Sequence, residues 1–130
     1  MTTAPFLMFQ NGRCRAALDF YVATLPDTRI LSVQPYPEGT PGGDGLIMLA
    51  RVSIDGLEVI ANDSTIRHAF DFTPSTSFFH LCRDAAEVDR LAAALSDEGA
   101  VLMPPGDYGF SRRFAWVNDR FGVSWQLNFE

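Results

Sequence analysis

Apolar residues recur along this chain with two different periods, and the switches between them mark out its elements. Pro5 to Gln10 (PFLMFQ) is a short apolar run closed by Asn11-Gly12, which predicts a buried strand and then a turn. Cys14, Ala17, Leu18, Tyr21 and Leu25 fall at i, i+3, i+4, i+7 and i+11, one stripe of a helix that Pro26 stops. Thr28 to Tyr36 reads as a strand, and Pro35 places it at a sheet edge or at a strand end. Leu46 to Ile54 and Leu57 to Asn62 flank Asp55-Gly56, the pair that a type I′ hairpin turn prefers because both positions need positive φ.

After a polar stretch from Asp63 to Ser75 the order repeats. Thr76 to Cys82 (TSFFHLC) is a second apolar strand. Asp84 with Glu87 three positions on resembles a capping box, Val88, Leu91, Ala92 and Leu95 repeat the helical stripe, and Gly99 is placed as the left-handed residue past the helix end. Val101 to Met103, a loop around Pro104-Pro105-Gly106, Arg112 to Asn118, a turn at Asp119 to Gly122, and Val123 to Phe129 follow. Each half reads as a strand, a helix and about three strands. The predicted fold class is α+β: two βαβββ modules, at about residues 1–65 and 75–130 of a single domain, with helices covering one face of each sheet.

Composition narrows the function classes. The 130 residues suit one domain, and 47% hydrophobic content with 20% charge excludes disorder. A net charge of -6 is the wrong sign for tracking phosphates, so neither nucleic acid nor an anionic membrane is an expected partner. Pro37 to Gly45 is glycine-rich but lacks the Gly-Lys-Ser/Thr of a phosphate loop and sits between strands. Cys14 and Cys82 form no C-x-x-C pair and read as buried thiols. With no basic leader and no apolar run of about 20 residues, a cytoplasmic location is expected. Only two histidines and two cysteines are present, so a metal site would lean on carboxylates, amides or water.

The runs Pro5-Phe6-Leu7-Met8-Phe9, Ala17-Leu18-Asp19-Phe20-Tyr21 and Ile30-Leu31-Ser32-Val33 resemble the opening module of the vicinal oxygen chelate superfamily. The ending Asn118-Asp119-Arg120-Phe121-Gly122-Val123-Ser124-Trp125-Gln126-Leu127 resembles its PhnB-like branch, as does the His68 to Pro74 link. The resemblance implies sheets that curl into a cup-shaped mixed sheet with the helices outside, and a homodimer. It does not by itself imply a reaction. The methyltransferase label often attached to that branch finds no glycine-rich strand-to-helix turn here to hold S-adenosylmethionine.

Metal-dependent members such as glyoxalase I place four ligands in the cup, and the resemblance allows each position to be tested. The first falls on Phe6, the second around Ala61 or Asn62, the third on Ser77 and the fourth on Gln126. A phenyl ring is no ligand, and a hydroxyl and an amide are weak ones, so no metal and no cofactor are expected. Period two puts Ser124, Gln126 and Asn128 on one strand face and Trp125, Leu127 and Phe129 on the other.

Other candidates carry structural and functional readings side by side. His80 is out of phase with Ser77 and should face the helix layer with Phe78 and Cys82; a bulge would turn it into a general base. His68 is a surface or dimer residue, or a ligand contact. Arg51 in LIMLARVSI needs a carboxylate partner or an anionic ligand. Trp116 and Phe114 share a face and either pack the core or line a pocket, while Arg112 and Arg113 flank a loop, Pro104 to Ser111, that could act as a lid.

The preferred expectation is a PhnB-like protein that binds a small organic molecule without a conventional metal site, through Gln126, Ser77, Asn62, Ser124, Trp116 and Arg51. A metal-dependent lyase or isomerase with Glu58, Asp63, His68 or His80 as unorthodox ligands is the second. A drug-sequestering protein of the bleomycin-resistance kind, its acidic surface drawing a cationic ligand, is the third.

Overall fold

A computed structural model describes residues 3–130. The chain folds as two compact units, one ending at Ala69 and the other running from Phe70 to Glu130. Each is a βαβββ module, so the chain is α+β, with two four-stranded mixed sheets and no closed barrel among the described residues.

In the first unit, β1 (Phe6–Phe9), α1 (Cys14–Thr24), β2 (Thr28–Pro35), β3 (Ile47–Ile54) and β4 (Leu57–Asp63) build a sheet of order β1-β4-β3-β2. The pair β1 and β4 is parallel and the other pairs are antiparallel. Pro35 ends the edge strand β2, where a missing N–H costs no ladder bond. Asp55 and Gly56 take φ of 49° and 88°, the two positive values that the tight β3-to-β4 turn requires. Leu7, Phe9, Ala50, Val52, Val59 and Ala61 are buried with the α1 stripe of Cys14, Ala17, Leu18 and Tyr21.

The start of α1 has no side-chain cap from its own N-cap residue, Arg13. Asp63, only 2% exposed, supplies one from the end of β4. Its Oδ1 accepts the Cys14 N–H at 2.9 Å and its Oδ2 accepts the Ile47 N–H at 2.9 Å. One carboxylate thus satisfies a helix N-terminus, where negative charge is favoured, and the first N–H of β3.

In the second unit, β5 (Ser77–Leu81), α2 (Ala85–Ser96), β6 (Ala100–Gly106), β7 (Arg113–Asn118) and β8 (Ser124–Phe129) repeat the pattern as β5-β8-β7-β6, with β5 parallel to β8. Here the helix is capped locally, since Asp84 Oδ1 accepts the Glu87 N–H at 2.8 Å. Asp119 organises the β7-to-β8 turn. Its Oδ1 accepts N–H bonds from Phe121 and Val123, and its Oδ2 accepts the Trp125 indole N–H at 2.9 Å. Trp125 is 1% exposed and stacks on Phe78 with ring centroids 4.7 Å apart. The D-R-F-G-V-S-W run is therefore a folding device: a buried carboxylate ties its own turn to the core tryptophan.

Two local expectations change. Glu98, with φ of 59°, is the left-handed residue after α2, and Gly99 is not. Gly99 is needed for space, because a Cβ there would lie 2.1 Å from the Asn118 carbonyl oxygen. Pro104, Pro105 and Gly106 belong to β6, which continues to Gly106 through register shifts. As the sheet's edge strand, β6 tolerates prolines that donate no ladder bond. Among the described residues, no helix is long and apolar enough to cross a membrane.

Candidate functional site

Period two divides each sheet into a face packed under its helix and a face turned away from it, and the second kind of face carries the candidate chemistry. In the first unit that face holds Phe6, Met8, Glu58, Ile60 and Asn62, with Phe6 beside Ile60 and Met8 beside Asn62 in the register. Ala61 is fully buried on the helix side, so of the two alternatives for the fourth-strand position it is Asn62 that shares the face of Phe6. Arg51 forms an ion pair with Glu58, Nη1 to Oε2 at 3.0 Å, both groups part-exposed.

In the second unit three cross-strand rows line the equivalent face. Ser77, Ser124 and Asn118 form one, Phe79, Gln126 and Trp116 the next, and Leu81, Asn128 and Phe114 the third. Ser124 is 1% exposed, and its Oγ lies 2.8 Å from the Ser77 Oγ and accepts the Trp116 indole N–H at 2.8 Å. Three of the sequence candidates, Ser77, Ser124 and Trp116, are thereby one hydrogen-bonded chain, with Gln126 paired beside Trp116. Asn62 and Arg51 stand in the other unit.

An aromatic cluster borders this chain. Phe110 meets Phe114 edge-on at 4.9 Å, Tyr108 meets Phe114 at 6.1 Å and 89°, and Phe79 lies 6.5 Å from Phe114. Phe79, Leu81 and Phe110 are 54%, 61% and 62% exposed, a concentration of apolar surface on a sheet face. Next to it an open cleft of about 600 Å³ is lined by Asp107, Gly109, Phe110, Ser111, Arg112, Asn128 and Glu130.

Both histidines lie outside this face. His80 is buried on the α2 side, its Nε2 3.3 Å from Glu87 Oε1. With Cys82 these groups come within 4.8 Å of one another, a geometry that admits a metal ion. The carboxylate is already committed: Oε1 also accepts the Arg83 backbone N–H, and Oε2 takes both Arg83 side-chain bonds and one from Arg90. Burial alone would raise Glu87, but these bonds, with that from His80, outweigh it and hold its carboxyl below the usual range. Burial, reinforced by the Glu87 charge, pushes the Cys82 thiol up to about 12. The cluster works as a joint between β5 and α2. His68 lies in the first unit, its ring 3.1 Å from Ser64 Oγ and its N–H bonded to Gln10. Glu58 and Asp63 are engaged as described above, so the unorthodox ligand set Glu58, Asp63, His68 and His80 is not gathered at one point.

Residues 1–128 match the family model described as 3-demethylubiquinone-9 3-methyltransferase. The chain belongs to this PhnB-like family. A PhnB protein from Bacillus cereus, solved as a structure, is 38% identical over the whole of both chains and superposes with a TM-score of 0.93. YjdN of Escherichia coli K12 is 26% identical over 98% of this chain and 95% of its own length. A glyoxalase/bleomycin resistance/dioxygenase domain from Frankia, at 15% identity, 99% and 96% coverage and a TM-score of 0.69, shares the fold alone with the PhnB-like chain.

Sequence reasoning missed Phe79, Tyr108 and Phe110 as members of the aromatic cluster around Phe114 of the PhnB-like chain. A signal for Phe79 was present, because it is two positions from Ser77 and must share its face. Tyr108 and Phe110 had none, since they come from a loop whose path no periodicity encodes.

Proposed function

We propose that this PhnB-like chain binds a small organic molecule on the face of the β5-β8-β7-β6 sheet turned away from α2, without a transition metal held in the glyoxalase manner. In this reading the two modules form a single domain, and the protein acts as a cytoplasmic homodimer. The observation that carries it is the coexistence, on one face, of exposed aromatic rings and a part-buried hydroxyl–indole chain at Ser77, Ser124 and Trp116. Exposed rings offer apolar area to a ligand, and the fixed polar chain gives that surface a defined shape.

The positions that the resemblance matches to the ligands of metal-dependent members are Phe6, Ala61 or Asn62, Ser77 and Gln126, and none of these residues offers an imidazole, thiolate or carboxylate. Methyl transfer from S-adenosylmethionine finds no support in the strand-to-helix links either. Gln10 to Arg13 and Cys82 to Asp84 are short links with one glycine between them.

A thermal-shift screen of metabolites and metals, followed by tryptophan fluorescence, tests the proposal. A ligand that binds the native state raises Tm, and its effect on emission disappears in Trp116→Phe. Elemental analysis showing about one tightly held transition metal per chain, abolished by Gln126→Ala, would overturn it.

A further inference from the structure

The hydroxyl chain on the β5-β8-β7-β6 face has a direction, and that direction determines what its outer end offers. The Trp116 indole N–H can only donate, so the Ser124 Oγ at 2.8 Å is its acceptor. Ser124 is 1% exposed, which shuts its own hydroxyl hydrogen off from solvent. Among the described residues the one remaining partner of its Oγ is the Ser77 Oγ, 2.8 Å away. Asn118, its neighbour in the register, does not take this hydrogen, because the Asn118 Oδ1 makes no hydrogen bond. If Ser77 donated to Ser124, the Ser124 hydrogen would be buried without an acceptor, an arrangement that costs stability and that native interiors avoid. With Ser124 donating to Ser77, the indole N–H and the Ser124 hydroxyl are both satisfied.

The Ser77 hydrogen is then the one left over. Ser77 starts the edge strand β5 and is part-exposed, so its hydrogen donates to solvent or to whatever replaces solvent. Among the described residues it has no acceptor within the chain. A hydroxyl that already accepts a hydrogen bond donates a stronger one, because bonds along a chain polarise one another. Phe79, 54% exposed, lies two positions on along the same strand face, about 7 Å away by the rise of a strand. Gln126 pairs with Phe79 in the register and carries an amide that donates or accepts equally well, so it sets no sign. The sign comes from Ser77, and the apolar area comes from Phe79.

We propose that Ser77 is the specificity-determining donor of this face. Its ligand is a flat, apolar molecule with an oxygen acceptor, a carbonyl or carboxylate, that receives the Ser77 hydroxyl while the apolar body packs on Phe79. This rests on the binding reading above and adds the ligand's chemical class.

Neutron diffraction from crystals of the deuterated full chain, with no ligand, locates the hydroxyl deuterons. The Ser124 deuteron is expected on the line to the Ser77 Oγ; a Ser77 deuteron on the line to Ser124 would overturn the inference and leave the binding reading intact. Binding is read by saturation-transfer NMR with acetophenone, benzoate and α-methylstyrene, in which a CH2 group takes the place of the acetophenone oxygen. Ser77→Ala is expected to weaken acetophenone and benzoate about three- to tenfold and to leave α-methylstyrene within about twofold. Ser77→Thr, which keeps the hydroxyl, is expected to keep the native affinities. Equal losses for all three probes would show that Ser77 contributes packing alone and would sink the inference, as would unchanged affinities in Ser77→Ala or binding of the alkene only. If no probe binds, the compounds that bind in the metabolite screen take their place, and one without an oxygen acceptor, or indifferent to Ser77→Ala, counts against the inference in the same way. If nothing in that screen binds either, the binding reading itself fails.

Discussion

The two modules share a strand order and a parallel β1-to-β4 or β5-to-β8 pair, yet they solve the same two problems differently. The first is how to begin the helix. In the first module the cap is Asp63, 49 residues from the Cys14 N–H it accepts. In the second it is Asp84, three residues before the Glu87 N–H. The second problem is what to place on the face the helix leaves uncovered. The first module carries a part-exposed Arg51–Glu58 ion pair, and the second carries the aromatic cluster with the Ser77–Ser124–Trp116 chain. A repeated backbone thus fixes where side chains point without deciding what chemistry they offer.

The largest expected effect breaks the first half of this comparison. Asp63→Ala is expected to cost about 4 kcal/mol in denaturant unfolding, because two buried N–H groups lose a charged acceptor at once. Asp84→Ala should cost about 1 kcal/mol, the usual value for a local cap whose N–H can turn to water. Equal losses would mean that the long-range cap is no more than a local one.

Acid should act on the second module through Glu87. Its carboxyl is held below the ordinary 4.5 in the folded chain, so its contribution is complete above that value and is lost as pH falls through the lower folded one. Tm measured against pH is therefore expected to fall steeply on the acid side, and less steeply in Glu87→Gln. An unchanged acid limb in that variant would place the sensitivity on another carboxylate.

Ser124→Ala leaves the Trp116 indole N–H and the Ser77 hydroxyl without their shared partner. A loss of about 1 kcal/mol is expected, with a shift of tryptophan emission that Trp116→Phe removes. Arg51→Ala should change stability by under about 0.5 kcal/mol, since a part-exposed pair is worth little. A larger loss than that of Ser124→Ala would reverse the contrast between the two uncovered faces. Thiol titration offers a last, small check. With both thiols raised to about 12 by burial first of all, Cys14 and Cys82 are expected to resist a disulfide reagent until the chain unfolds.

Much of the architecture was legible because it follows from period and punctuation. The stripes of α1 and α2, the Asp55-Gly56 turn and the face shared by Ser124, Gln126 and Asn128 depend on near neighbours along the chain. The exceptions came from distant contacts. Gly99 was read as a helix-end glycine, but what requires it is the Asn118 carbonyl of a strand that pairs with β6. Pro104 to Gly106 looked like a loop, and only a place at the sheet's edge lets it remain a strand. Asp63 read as a polar linker residue or an unorthodox ligand, whereas its carboxylate closes onto the N–H groups of two other elements.

The candidate site divides the same way. Local sequence determined which residues of each strand share a face, as Ser124, Gln126 and Asn128 do, but left Ala61 and Asn62 as open alternatives. Tertiary structure decided that Ser77, Ser124 and Trp116 form one chain, and that loop residues Tyr108 and Phe110 join Phe114. The physical reason is range: strand parity is set by the covalent pleat of the backbone, whereas the partner of a buried polar atom is chosen by whatever the rest of the fold brings beside it.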